Sequence, residues 1–114
     1  MVSGTEISNK KAGLKVTRLS DLADYEEGTI VSTTVVDKKA ASVAVYAFDK
    51  FQGIIKHILP YDALCYVFEG EAEVYISGKP YTVKTGEMIV FPAHKPHSIS
   101  AKSRFKMLLL SLKE

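Results

Sequence analysis

The feature that most constrains this chain is a change of hydrophobic period at residue 29. From there to residue 112 the sequence breaks into short runs in which side chains alternate every second position, at 29–36, 41–48, 53–58, 63–68, 71–77, 81–84, 87–91, 98–102 and 104–112. A period of two sends successive side chains to opposite faces of an extended strand. Residues 29–36 are almost all β-branched, the shape that suits a pleated surface. In residues 71–77, Glu71, Glu73 and Tyr75 fall on one face and Ala72, Val74 and Ile76 on the other. Turn signals separate the runs: Glu69-Gly70, Ser77-Gly78-Lys79-Pro80 and Thr85-Gly86. Short strands at this spacing predict an all-β sandwich or barrel, and no helical period of useful length follows residue 28.

Residues 1–28 read as a polar lead-in ending in a helical turn, and residues 29–114 as the barrel. The turn is expected at residues 19–24, with Ser20 as N-cap and Asp21 at the positive end. The chain has 114 residues, 46% of them apolar, which places it in the single-domain globular class. At this length folding buries roughly two-thirds of the unfolded surface, so a core forms without staples.

The charge balance narrows the function classes. Fifteen Lys and Arg against thirteen Asp and Glu give a net charge of +2, and the only arginines are Arg18 and Arg104. No basic stripe exists to neutralise a run of phosphates, so a nucleic-acid partner is not expected. One cysteine, Cys65, forms no intrachain disulfide, which fits a reducing compartment. With no secretory signature at residues 1–6 and no apolar stretch of spanning length, the expected location is the cytoplasm, without a membrane partner. The uncharged strand at 29–36 would be an aggregation hazard as a bare edge. Pairing within the chain or burial in a homodimer would cover it, and a homodimer is the expected state.

Two stretches carry a family resemblance. The first runs from His57-Ile58-Leu59-Pro60-Tyr61-Asp62-Ala63 into YVFEGE; the second runs from Gly86 to Phe91-Pro92-Ala93-His94-Lys95-Pro96-His97. Together they resemble the two motifs of the cupin family, HxHxxxE followed by a YVLEGE-like run, and G, five residues, PxGxxH. The resemblance implies a cupin-type barrel, a double-stranded β-helix or jelly roll, whose motifs hold a metal with three His and one Glu. His57 matches the first His and His97 the last. Leu59 stands at the second His, Ala63 at the Glu, and His94 at the motif's glycine. Two of four family ligands are therefore aliphatic.

The expected cavity residues are His57, Leu59, Ala63, Cys65 and His97, with Cys65 sharing a strand face with Ala63. The candidate metal ligands are His57 and His97, then His94; the cofactor, if any, would be one divalent Zn, Ni, Mn, Fe or Cu ion. Cys65 reads either as a soft ligand or as a small buried hydrophobe, and Asp62 either as an orienter of a histidine or as a solvated turn residue. The expected function is binding of a small molecule in a cavity containing two histidines. The alternative is a metal-dependent cupin enzyme of isomerase, dioxygenase or decarboxylase type; a metal-independent acid–base enzyme would pair a histidine with Tyr61 or Tyr66.

Overall fold

The computed structural model describes the backbone of residues 2–3 and 5–9 and all of residues 15–114. Eleven strands lie within the described residues: β1 (Val2–Ser3), β2 (Thr5–Asn9), β3 (Thr29–Asp37), β4 (Ala41–Phe48), β5 (Gly53–His57), β6 (Asp62–Glu69), β7 (Glu71–Ile76), β8 (Lys79–Lys84), β9 (Met88–Phe91), β10 (His97–Ser100) and β11 (Phe105–Leu112). They form two facing sheets, β1-β5-β10-β7-β8 and β2-β3-β4-β11-β6-β9. The pairings are antiparallel except β2 with β3, which is parallel. This is the expected all-β jelly-roll barrel.

Parity along each strand sorts the chain into core and surface. Inward residues Phe48, Ala63, Cys65, Val67, Phe91, Phe105 and Met107 join Ala72, Val74 and Ile99 from the opposite sheet in one cluster. Phe48 and Phe105, both fully buried, stack at 4.4 Å between ring centroids. A polar tie closes the barrel beside them. The Asp49 carboxylate accepts from Gly28 N–H at 2.7 Å and from Arg104 Nε at 2.7 Å. The Gly28 amide, then the guanidinium, hold this carboxyl well below its ordinary range, at about 2.

The lead-in departs from its sequence reading. Thr5–Asn9 lies alongside Thr29–Thr33 of β3, and Val2–Ser3 pairs with β5. The helical turn is a 3-10 turn over Leu19–Asp21, shorter than expected, and its N-cap is Arg18 without a side-chain cap bond. Ser20, expected as the cap, sits inside the turn, where its carbonyl accepts from Lys106 Nζ at 2.7 Å. Tertiary packing sets this position. Leu22 and Ala23 are buried against Val31, Val45 and Ala47 on the outer face of the larger sheet, and the Thr33 hydroxyl donates to the Leu22 carbonyl.

Intrachain pairing covers the strand flagged as an edge hazard. β4 lies on one side of β3 and β2 on the other, over Thr29–Thr33.

Candidate functional site

One end of the barrel holds a cavity of about 350 Å³. Its walls include His57, Leu59, Ala63 and His97, together with Tyr46, Tyr61, Phe91 and Leu109. Among the described residues, no Lys, Arg, Asp or Glu lines it.

The two histidines, forty residues apart in sequence, are brought together by strand register. β10 pairs with β5 so that His97 stands directly opposite His57, and directly opposed residues project to the same face. Their ring centroids are 4.4 Å apart at 61°, edge to face. On its other side the His97 ring stacks on Phe91 at 4.4 Å and 8°. His97 is only 4% exposed, and its buried Nδ1 has no partner of good hydrogen-bond geometry among the described residues. Burial, then the neighbouring His57 charge, push the His97 pKa below its ordinary value, and the Lys95 backbone carbonyl opposes them. Both effects favour the neutral form of the ring.

A second row forms the facing wall. Ser42 on β4 opposes Ser111 on β11, Ser111 opposes Ala63 on β6, and Ala63 opposes Phe91 on β9. Both serines line the cavity, and sequence reasoning missed them. Parity alone puts Ser111 on the face of Met107 and Leu109, but its depth in the barrel follows from pairing. The same geometry separates Cys65 from the wall. Cys65 shares the face of Ala63 but lies one row deeper, opposite Leu109 and Ile89, and it is not among the lining residues. Its thiol contacts Met107 Sδ at 3.3 Å, and burial pushes its pKa up to about 12. A thiol so hard to ionise is a packing group and not a ready ligand.

The remaining candidates are also placed. His94 is exposed, in a turn with φ 66°, and its N–H donates to the Leu59 carbonyl at 2.8 Å. It occupies the left-handed position where the resembling motif has glycine. Asp62 accepts from Ala93 N–H at 2.7 Å, so it ties the 92–96 loop to β6 and orients no histidine. Tyr61 lines the cavity. Tyr66 points to the opposite face of β6, near Phe68, so it cannot serve as an acid–base partner there.

A metal held by the protein alone needs at least three converging donors. Among the described residues no group of three His, Cys, Asp or Glu meets that condition. The imidazoles of His57 and His97 are neighbours, but the other two wall positions are the aliphatic Leu59 and Ala63, His94 lies outside the cavity lining, and Cys65 is buried beneath it. The described residues do not fit a complete metal site.

Residues 48–112 match the family model for the cupin domain. A conserved protein of unknown function from Streptococcus pyogenes is 33% identical, with 95% of each chain covered and a TM-score of 0.87. A cupin 2 conserved barrel domain protein from Leptotrichia buccalis is 39% identical over 82% of this chain, with a TM-score of 0.79; the match spans 45% of that longer protein. Salicylate 1,2-dioxygenase from Pseudoaminobacter salicylatoxidans is 18% identical over 72% of this chain and 26% of its own, with a TM-score of 0.67, a likeness of fold. No curated protein matches the chain.

Proposed function

The chain belongs to the cupin family, and from that premise we propose that it is a small-molecule-binding cupin barrel whose cavity anchors its ligand at His57 and His97. The carrying observation is the paired imidazoles in a cavity of about 350 Å³ whose described lining holds no Lys, Arg, Asp or Glu. A pocket of this kind takes a compact organic molecule: apolar walls receive the body, and a few polar groups fix its orientation. The buried Nδ1 of His97 has no partner of good hydrogen-bond geometry among the described residues, which supports a polar contact to a guest. The alternative reading, a metal-dependent isomerase, dioxygenase or decarboxylase, needs donors beyond the described residues, and Leu59 and Ala63 disfavour it. The single buried thiol and the absence, among the described residues, of a helix able to cross a membrane are compatible with a cytoplasmic location.

The test is a thermal-shift screen of small uncharged and acidic organic compounds, followed by calorimetry on wild type and His97→Ala. A ligand at one hundred times its Kd stabilises the fold by about 2.7 kcal/mol, a shift of several degrees in Tm. Hits that lose at least tenfold affinity in His97→Ala would support the reading. Hits that bind the variant as well as wild type would place the ligand elsewhere, and a screen without hits would count against ligand binding.

A homodimer is part of the same proposal. On the outer face of the larger sheet, Val36, Val43, Leu110, Leu64 and Val90 stand in one row across five strands. Val36 and Val90 are 42% and 44% exposed. Two such faces would pack as a sheet-on-sheet interface about a two-fold axis. Light scattering is expected to give twice the 12.6 kDa chain mass. The combined change Leu110→Lys with Val90→Lys is expected to give the monomer. A wild-type monomer at 100 μM would dismiss the dimer.

A further inference from the structure

The wall facing the histidines carries a second polar feature. Ser42, Ser111, Ala63 and Phe91 stand side by side across β4, β11, β6 and β9, each directly opposite the next. Neighbouring strands lie about 4.8 Å apart, so this row spans roughly 14 Å. Its two ends differ in chemistry. At the Phe91 end the His97 ring stacks on Phe91, and His57 meets His97 edge to face. At the other end stand two hydroxyls. Between the ends Ala63 projects only a methyl group, which leaves room over the middle of the row, and Leu109, Ile54 and Ile99 supply apolar wall around that space.

Ser111 is an expensive residue where it stands. It continues the inward face of Met107 and Leu109 and is only 6% exposed. A hydroxyl buried among such neighbours costs free energy unless something hydrogen-bonds to it, and alanine would fill the position without that cost. The histidine end holds a matching demand, because the buried Nδ1 of His97 has no partner of good hydrogen-bond geometry among the described residues. Both ends border the same cavity.

We propose that Ser42 and Ser111 form a second anchor, so that the cavity selects a compact molecule with hydrogen-bonding groups at both ends of an apolar, ring-sized body. One group meets the imidazole pair and the other meets the two hydroxyls. Resting on the ligand-binding reading above, this assignment adds the guest's polarity pattern. Protonation does not alter the match: a serine hydroxyl both donates and accepts, and a hydroxyl on the guest answers an imidazole whether the ring is neutral or charged. A cavity of about 350 Å³ lies near the small end of ligand pockets, which suits a single substituted ring.

Three uncharged probes of one outline carry two, one and no hydroxyls: 1,4-benzenedimethanol, 4-ethylbenzyl alcohol and 1,4-diethylbenzene. The 1,3-substituted set is run in parallel, and the better-bound diol is scored. Affinities are read by NMR titration of wild type, Ser42→Ala, Ser111→Ala and the double variant. Both substitutions remove an oxygen and add no bulk. Wild type is expected to bind the diol at least as tightly as the mono-alcohol, although the extra hydroxyl has hydration to lose. In the double variant the diol is expected to weaken about tenfold, the worth of one good hydrogen bond, while the mono-alcohol keeps its affinity. A ratio of diol to mono-alcohol affinity that the serine changes leave unmoved would overturn the second anchor and leave the binding cavity standing. An equal loss for all three probes would do the same, because it reports a structural role. Wild type that prefers the mono-alcohol by about tenfold or more would also overturn the anchor, even if no variant folds. Binding of none of the probes to wild type would overturn both the anchor and the ligand-binding reading.

Discussion

Replacing Leu59 with His and Ala63 with Glu in the same chain is expected to create a Zn²⁺ site, tightening affinity by on the order of 100-fold or more over wild type. The wild-type cavity brings two imidazoles together at 4.4 Å between ring centroids. Two neutral nitrogens make a weak chelate, with nothing to balance the ion's charge. Leu59 and Ala63 already line the same cavity, so the two new donors would start from its walls. Ala63 opposes Ser111, a small neighbour, and the cavity has room for the longer Glu. The carboxylate would supply negative charge, and the donor count would rise from two to four. Calorimetric Zn²⁺ titration of wild type, each single variant and the double variant is the measurement. A stepwise gain that is largest in the double variant would show that the missing side chains alone separate this cavity from a metal centre. An unchanged affinity would mean that the wall positions do not converge. His57→Ala in the four-donor background should then abolish the gain, which checks that the new site includes the native ring.

The second large effect is on stability. Gly70→Ala is expected to cost about 3 kcal/mol or more, through left-handed backbone and overpacking together. Gly70 sits between β6 and β7 at φ 75°. An added Cβ would fall inside contact distance of the Arg104 carbonyl oxygen and 3.0 Å from the Phe105 Cα. Neither neighbour is a flexible side-chain end. Both are backbone, and Phe105 is fixed by its stack on Phe48. Gly86, at φ 88°, is the control, because its added Cβ would meet nothing within 4 Å. Gly86→Ala should therefore cost only the conformational part, about 1–2 kcal/mol. Urea denaturation of the two variants reads the difference directly as separated midpoints. Equal losses would show that the start of β11 shifts to admit the methyl group.

Much of the fold was legible because strand parity is a local property. The alternation of Ala72 and Val74 with Glu71 and Glu73, and the turn residues at Gly70, Gly78 and Gly86, specify strands and their breaks within a few residues. The motif resemblance reached further and marked His57 and His97. What it could not carry is depth. Ala63 and Cys65 share a face, yet one lies on the cavity wall and the other packs beneath it against Met107. Ser42 and Ser111, unremarkable in sequence, meet on the cavity wall because β11 pairs with β4 in one register. Tyr61 and Tyr66 looked equivalent as partners for a histidine, and the face of β6 separates them.

The sequence by itself determined which side chains share a strand face, where the strands turn, and that two of the resembling family's ligand types are replaced by Leu59 and Ala63. Those properties depend on residue type and on neighbours a few positions away. Only the tertiary structure decided that His97 stands opposite His57, that Asp62 ties the 92–96 loop in place, and that β2 runs parallel along β3. These depend on register between strands distant in the chain. A strand's pattern repeats every two residues, so it is satisfied equally by several registers, and the packed barrel selects one of them.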